Sequence, residues 1–268
     1  MFLDKMQQIK EALSLKSSAL VAFSGGVDSS TLAALAYETL GDQTLAVTIN
    51  MHSLPEGELQ MAEDIARMIG IRHKVIDFDE FTVPGFMENS PQRCYYCKKS
   101  ILGLLLEVAK EEGCEVVIEG TNITEMQGHR PGMQAIAEIT EQVMSPFLQF
   151  SVSREEIRQM AKHMGLSVAG KPSSPCLASR IPYGKKITPE GISRVKSAEN
   201  YLSSLGFTQF RVRDHGDVAR IEVKSSDFPA VIERKEDIVN ELKRLGFHYI
   251  ALDMEGFRSG SLDEVISK

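Results

Sequence analysis

The sequence predicts an α/β protein, a doubly wound parallel sheet joined to a second, smaller α+β domain. Over residues 1–164, short apolar runs alternate with helical stretches, the order that builds parallel βαβ units. The polar and glycine-bearing turns follow the apolar runs, where open α/β sheets gather ligand groups. From residue 188 onward the order changes to helix, paired strands, helix and strand, the pattern of a compact α+β unit. The expected domains are therefore 1–170 and 188–268, with 171–187 as the junction between them.

The elements follow from local signals. Phe2, Met6, Ile9 and Leu13 stand at helical spacing, so residues 2–15 read as a helix. Residues 18–23 read as a buried strand that runs into Ser24, Gly25, Gly26, Val27, Asp28, Ser29 and Ser30; residues 31–37 are rich in good helix formers. Strand, glycine turn and helix together aim backbone N–H groups and the positive end of a helix dipole at an anion. Gly25 and Gly26 let a phosphate approach the backbone closely. Ser24, Ser29 and Ser30 add hydroxyls, and Asp28 is placed to hold Mg²⁺. No lysine follows the glycines, so this is not the Walker loop.

Residues 44–49 form a second strand, and Pro55 opens a helix through Ile69. A third strand is expected at 73–78, a helix from about 94 to 112, and a fourth strand at 114–119, with Cys114 as a core residue at its start. Gly120 and Thr121 follow that strand and are assigned to nucleotide binding. Ser153 and Glu156 make a capping box for a helix through Met164. Residues 170–184 hold three prolines and no periodicity; so long a loop in a compact protein is a functional one. Beyond it a helix is expected at 189–205, paired strands at 209–213 and 219–223, a helix at 230–245 and a last strand at 248–253.

The bulk properties exclude several classes. A net charge of −7 speaks against a general binder of nucleic acid or anionic membranes. No apolar run approaches the roughly 18 residues of a membrane span, and the amphipathic, acid-containing first residues do not read as a signal peptide. The expectation is a cytoplasmic chain that engages neither nucleic acid nor membrane, whose four cysteines point to metal or redox chemistry.

Cys94 and Cys97 stand at i, i+3, so both sulfurs share one face of a helix's first turn, where the dipole favours thiolates. Cys176, in the proline-rich loop, is the natural third member. Three thiolates suit a [4Fe–4S] cluster with one open iron. Zinc on three cysteines with His129 or His163 is an alternative, as is a redox pair relaying a persulfide. Arg211 and Arg213 alternate along a strand and so share a face, a fork suited to a phosphate or carboxylate. Ser179 and Arg180 are expected to reach the same substrate, with Arg258 as a further anion contact or a cap. Glu199 and Glu222 are candidate metal-binding or substrate-orienting carboxylates.

The S-G-G-V-D-S turn after a buried strand resembles the pyrophosphate loop of the PP-loop ATP pyrophosphatases. Joined to C-x-x-C, to Cys176 followed by A-S-R-I-P-Y-G, to E-G-T-N at 119–122, R-P-G at 130–132, R-V-R at 211–213 and G-F-R-S-G at 256–260, it resembles the LarE family over nearly the whole chain. That resemblance implies an AMP- and pyrophosphate-forming ATP-dependent sulfurtransferase of nickel-pincer nucleotide synthesis. ATP, with Mg²⁺, would adenylylate a carboxylate of pyridinium-3,5-biscarboxylic acid mononucleotide, and sulfur would displace AMP to leave a thiocarboxylate. It also implies a homo-oligomer, a hexamer. Some members sacrifice the sulfur of one cysteine near the position of Cys176; others use three cysteines and a cluster. The set Cys94, Cys97 and Cys176 favours the cluster. A tRNA-thiolating PP-loop enzyme is the nearest rival, and it expects a basic surface. An amide-forming ligase of the NAD-synthetase type would leave the cysteines idle.

Overall fold

The computed structural model describes residues 1–126, 131–139, 142–258 and 260–265. The chain divides into two compact units: Met1–Met51, Gly57–Val83 and Cys94–Ser174 form the first, and His52–Glu56, Pro84–Arg93 and Pro175–Lys268 the second.

The first unit is built on β1 (Ala19–Ala22), the middle strand of a sheet ordered β3-β2-β1-β4-β5 in which every pairing is parallel. The other strands are β2 (Thr44–Asn50), β3 (Arg72–Asp77), β4 (Val116–Ile118) and β5 (Val143–Met144). Side chains alternate across a strand, and the three central strands bury both faces. Ala19 and Val21, Ala46, and Val116 and Ile118 enter one core; Leu20, Leu45 and Val47, and Val117 enter the other. The first core is closed by α1 (Phe2–Ser14), α2 (Val27–Leu40) and α7 (Arg154–His163), through Ile9 and Leu13, Leu32 and Leu35, and Ile157 and Met160. The second is closed by α4 (Arg93–Glu111), whose Leu102, Leu105, Val108 and Ala109 recur at helical spacing. Helices on both faces of a parallel sheet are the doubly wound architecture. The remaining helices of this unit are α3 (Glu58–Ile69), α5 (Gly132–Ala137) and α6 (Pro146–Gln149).

The second unit holds α8 (Pro189–Ser204), β6 (Phe210–Asp214), β7 (Val218–Val223), α9 (Phe228–Glu233), α10 (Lys235–Arg244) and β8 (Tyr249–Leu252). Its sheet runs β6-β7-β8, antiparallel and then parallel. Val212, Ala219, Ile221 and Val223 line one face and pack against Ala198 and Leu202 of α8 and Ile238 and Leu242 of α10. Thr188 caps α8, its hydroxyl accepting from Gly191 N, with Pro189 at the first helical position.

Three expectations need correction. The helix expected at 230–245 is two, because Arg234 leaves helical geometry at φ −98° and ψ 16°. The fourth strand starts at Val116, and Cys114 precedes it: its N–H bonds Ala109 O at 2.7 Å and closes the end of α4. Cys114 is half-buried, and burial pushes its thiol pKa up. Helix α2 begins at Val27, capped by Gly26, so Asp28, Ser29 and Ser30 lie on its first turn. The short elements α5, β5 and α6 carry too few residues for a periodicity to show.

Gly25 adopts φ +67°, and a Cβ there would stand 2.8 Å from Ala62 Cα of α3. Gly165 is equally left-handed at φ +71° but opens onto empty space. Gly165→Ala should cost about 1 kcal/mol, the backbone strain alone. Gly25→Ala should cost roughly 2–4 kcal/mol, because overpacking against a helix backbone adds to that strain. Urea unfolding of both variants checks this, and equal losses would refute the close-contact account.

Candidate active site

In the first unit β1 and β4 are neighbours at the centre of the sheet, where the strand order reverses. The loops leaving their carboxyl ends frame the crevice in which such sheets bind ligands. From β1 come Ser24, Gly25 and Gly26, and the first turn of α2 supplies Asp28, Ser29 and Ser30. Ser29 knits the turn: its hydroxyl lies 3.1 Å from Ser24 Oγ, accepts from Ser24 N at 3.2 Å and donates to Gly26 O at 3.3 Å. From β4 come Glu119, Gly120, Thr121 and Asn122. Gly120 lies flat on the start of α2, where a Cβ would meet Asp28 C at 3.2 Å and Ser29 N at 3.3 Å.

Three polar atoms in this crevice are buried without a hydrogen-bond partner among the described residues: Asp28 Oδ1, Ser30 Oγ and Asn122 Nδ2. Buried polar atoms are ordinarily satisfied, so these three leave hydrogen-bonding capacity open at the crevice. Burial pushes the Asp28 pKa up to about 6, against the opposing pull of Arg154. An orphaned carboxylate oxygen beside a helix N-terminus fits a magnesium ion carried in with nucleotide phosphates. Glu119 takes the opposite role. Burial raises its pKa, but the Lys98 charge and hydrogen bonds from Ser145, Thr121 and Lys98 outweigh it, and the net shift is downward. Its oxygens accept from Thr121 Oγ1 at 2.6 Å, Thr121 N at 3.2 Å and Lys98 Nζ at 3.1 Å, and also from Ser145 Oγ.

Sequence reasoning missed two cations here. Lys98, which follows Cys97, braces Glu119. Arg154 Nη2 lies 3.0 Å from Glu125 Oε1 and 3.7 Å from Asp28 Oδ2. The capping box puts Arg154 at the start of α7 but carries no sign of which loop that end faces. Cys94 is exposed on the first turn of α4, and Cys97, at the start of the next turn, is half-buried. His163 lies on α7 with its ring edge-on to Phe2. His129, Arg130 and Ser259 fall outside the described residues.

The second unit turns a charged sheet face inward. Arg211 and Arg213 of β6 share a face, and the register sets them opposite Glu222 and Arg220 of β7. Arg213 is 1% exposed and Glu222 0%. Arg213 makes a two-point pair with Glu222 at 3.0 and 3.1 Å, and adds Ser179 O at 2.6 Å and Ser261 Oγ at 2.7 Å. Arg180 makes a second fork, to Glu199 at 2.8 and 3.0 Å, and Glu199 also accepts from Val212 N. Both candidate carboxylates are thus taken up by guanidiniums.

Arg211 differs. Among the described residues its partners are Arg258 O at 3.2 Å and the face of Phe257 at 4.6 Å, with no carboxylate. Burial, with the Arg213 and Arg180 charges beside it, pushes its pKa down to about 10. The nearby Glu222 and Glu199 charges oppose that shift without outweighing it. Arg258 is instead tied to Glu255 at 2.8 Å and Glu264 at 3.1 Å. Cys176 opens the 3₁₀ turn Leu177–Arg180 and donates its thiol to Ser53 Oγ at 3.1 Å.

Comparison with known proteins agrees with this geometry. The family model for queuosine biosynthesis protein QueC matches residues 18–90, which span the glycine turn. An uncharacterised protein of Synechocystis is 37% identical over 98% of each chain, and one of Methanocaldococcus jannaschii is 30% identical over 96% of this chain and 99% of its own. The pyridinium-3,5-bisthiocarboxylic acid mononucleotide synthase of Lactiplantibacillus plantarum is 32% identical over 92% of this chain and 90% of its own. With that identity along nearly its full length, and an anion turn at the switch point of its sheet, the chain belongs to the LarE family of ATP-dependent sulfurtransferases, within the PP-loop superfamily.

Proposed function

We propose that this enzyme activates a carboxylate of pyridinium-3,5-biscarboxylic acid mononucleotide with ATP and replaces one carboxylate oxygen by sulfur. In this reading residues 1–170 are the ATP pyrophosphatase domain, 171–187 the functional junction loop and 188–268 the substrate and sulfur-transfer domain. The observation that carries it is Arg211, a buried guanidinium among paired ones that has no carboxylate of its own. A substrate bearing a phosphate and two carboxylates supplies that anion.

The chain's residues divide the work. Ser24, Gly25, Gly26, Ser29 and Ser30 cradle phosphate oxygens of ATP, and Gly120 and Thr121 close the other side of the crevice. Asp28 holds Mg²⁺, which neutralises charge on the leaving pyrophosphate. A substrate carboxylate oxygen attacks the α-phosphorus, the bond to the β-phosphate oxygen breaks, and an acyl adenylate and pyrophosphate result. A sulfur nucleophile then adds at the acyl carbon and AMP departs. Arg211 and Arg213, with Ser179 and Arg180, orient the substrate anion, while Glu199 and Glu222 hold Arg180 and Arg213 in their forks. Cys94, Cys97 and Cys176 suit a [4Fe–4S] cluster by donor type, three thiols of which Cys94 and Cys176 are exposed. When bound, the cluster supplies an iron site that carries transferable sulfur. The reading includes a homo-oligomer.

Asp28→Ala should reduce substrate-dependent pyrophosphate release at least a hundredfold, since the metal site is lost; release near the wild-type rate would remove the glycine turn from the reaction. Arg211→Ala should raise KM for the pyridinium substrate about tenfold or more and leave KM for ATP within twofold. A parallel rise in both would take the arginines out of the substrate site. Protein purified without oxygen should carry about four irons and four acid-labile sulfides per chain. Iron-free protein that turns over once and leaves dehydroalanine at position 176 would replace the cluster by a sacrificed cysteine.

A further inference from the structure

The segment that bears Cys176, Ser179 and Arg180 has no strand or α-helix to hold it, and Pro175 and Pro182 contribute carbonyls without N–H groups. Its shape comes from partners elsewhere in the second unit. Asn89 is fully buried and left-handed at φ 53°, a conformation that asparagine tolerates better than most residues. Its Nδ2 donates towards three carbonyls of one turn: Ile181 O at 3.2 Å, Pro182 O at 2.8 Å and Lys185 O at 2.8 Å. Its own carbonyl accepts from Gly184 N at 3.0 Å.

Asn89 Oδ1 in turn accepts from Arg93 Nη1, and the same Nη1 donates to Ala178 O at 3.0 Å. The Arg93 guanidinium lies 5.5 Å from the centre of the Tyr183 ring. At the start of the segment Ser53 O accepts from Leu177 N at 2.8 Å, and Ser53 Oγ takes the Cys176 thiol. Arg213 holds Ser179 O, and Arg180 donates to Pro175 O at 3.1 Å. Six carbonyls between 175 and 185 thus accept from side chains, four of them from Asn89 and Arg93.

We propose that Asn89 and Arg93 are positioning residues for sulfur transfer: together they clamp the 176–185 segment so that Cys176, Ser179 and Arg180 keep one geometry through the reaction. Neither residue touches substrate in this account. The physical ground is that reactive groups on irregular backbone drift unless that backbone is over-determined, and a misplacement of about 1 Å is worth roughly a hundredfold in rate. An amide is needed at position 89 because it donates to carbonyls on one side and accepts from Arg93 on the other. The inference rests on the proposed function in one respect, that the 176–185 segment carries the sulfur chemistry.

The test uses the full-length enzyme and three variants. Asn89→Gly keeps the left-handed backbone and removes the clamp; Arg93→Met removes the second arm; Arg93→Lys keeps a donor for one of the two acceptors. With ATP and pyridinium-3,5-biscarboxylic acid mononucleotide, Asn89→Gly and Arg93→Met should lower kcat for thiocarboxylate formation at least tenfold with KM for ATP within twofold, and Arg93→Lys should recover part of the loss. A kcat within twofold of wild type, or a KM for ATP that rises in step with the loss, would overturn the clamp. Amide hydrogen exchange gives a second measure that needs no turnover. Asn89→Gly should speed exchange tenfold or more at residues 177–187, leaving the strands of the first unit unchanged. If wild type makes no thiocarboxylate from this substrate, the proposed function falls and exchange alone judges the clamp: faster exchange confined to 177–187 upholds it, and unchanged or chain-wide exchange refutes it.

Discussion

Backbone-to-backbone packing at the carboxyl ends of β1 and β4 is the constraint on which the nucleotide end depends. Gly25 rests on α3 at a distance that leaves no room for a side chain, and Gly120 rests on the first turn of α2 at a distance tighter than an ordinary Cβ contact. The Gly120 contact brings the loops after β1 and β4 against one another, and the Gly25 contact seats the glycine turn on α3. The N–H groups at the start of α2 face the crevice. Asp28, Ser30 and Asn122 are left there with buried, unpartnered atoms. Packing so tight stores an unmet demand for hydrogen bonds, because atoms excluded from water and denied a protein partner gain only when ligand arrives. Glu119 beside them is the opposite case, its own oxygens met by four donors from Lys98, Thr121 and Ser145.

The second unit follows a different rule, that buried charge is paired, with Arg211 as the exception. Taking a guanidinium and a carboxylate out of water costs several kcal/mol per ion, so an apolar face on the small sheet would fold at least as well. The chain buries Arg180, Arg211, Arg213, Glu199 and Glu222 instead. The forks on Glu199 and Glu222 use both oxygens of each carboxylate and fix the planes of Arg180 and Arg213. What such pairing secures is direction: a guanidinium locked by a carboxylate presents its remaining N–H groups at fixed angles. Removal of one member of a fork would leave its partner as an unpaired buried charge, so Arg180 stands or falls with Glu199 and Arg213 with Glu222.

Much of this was legible in the sequence, and the limits have physical causes. The central strands were visible because burial on both faces makes continuous apolar runs, as in Leu20 and Val21 or Val116, Val117 and Ile118. The glycine turn was visible because its steric demands admit few residues. The one-face placement of Arg211 and Arg213 followed from the two-residue period of a strand. What stayed hidden depends on partners distant in sequence. Nothing local shows that Glu199 belongs to Arg180, nineteen residues earlier, or that Arg154 on α7 reaches Asp28 on α2. Asn89 looks like an ordinary loop asparagine, since its three carbonyl partners lie more than ninety residues onward.

The charge distribution bears on which substrates the enzyme admits. A chain with net charge −7 repels anions at long range, yet ATP and a mononucleotide dicarboxylate are both strongly anionic. At physiological ionic strength that repulsion fades over about 8 Å, so recognition falls to groups in contact with the ligand. In the proposed reading these are, for ATP, backbone N–H groups and hydroxyls, with Mg²⁺ to carry positive charge. For the pyridinium substrate they are, in the same reading, fixed guanidiniums, of which Arg180 and Arg213 are paired with their own carboxylates. Arg211 keeps the surplus, at a site already crowded by Arg180 and Arg213. A single strongly anionic group, held where three guanidiniums converge, relieves their mutual repulsion as it binds. A neutral or cationic analogue would gain nothing there and still lose its own hydration, so under the proposed function the arginine face would filter for anionic substrates as well as hold them.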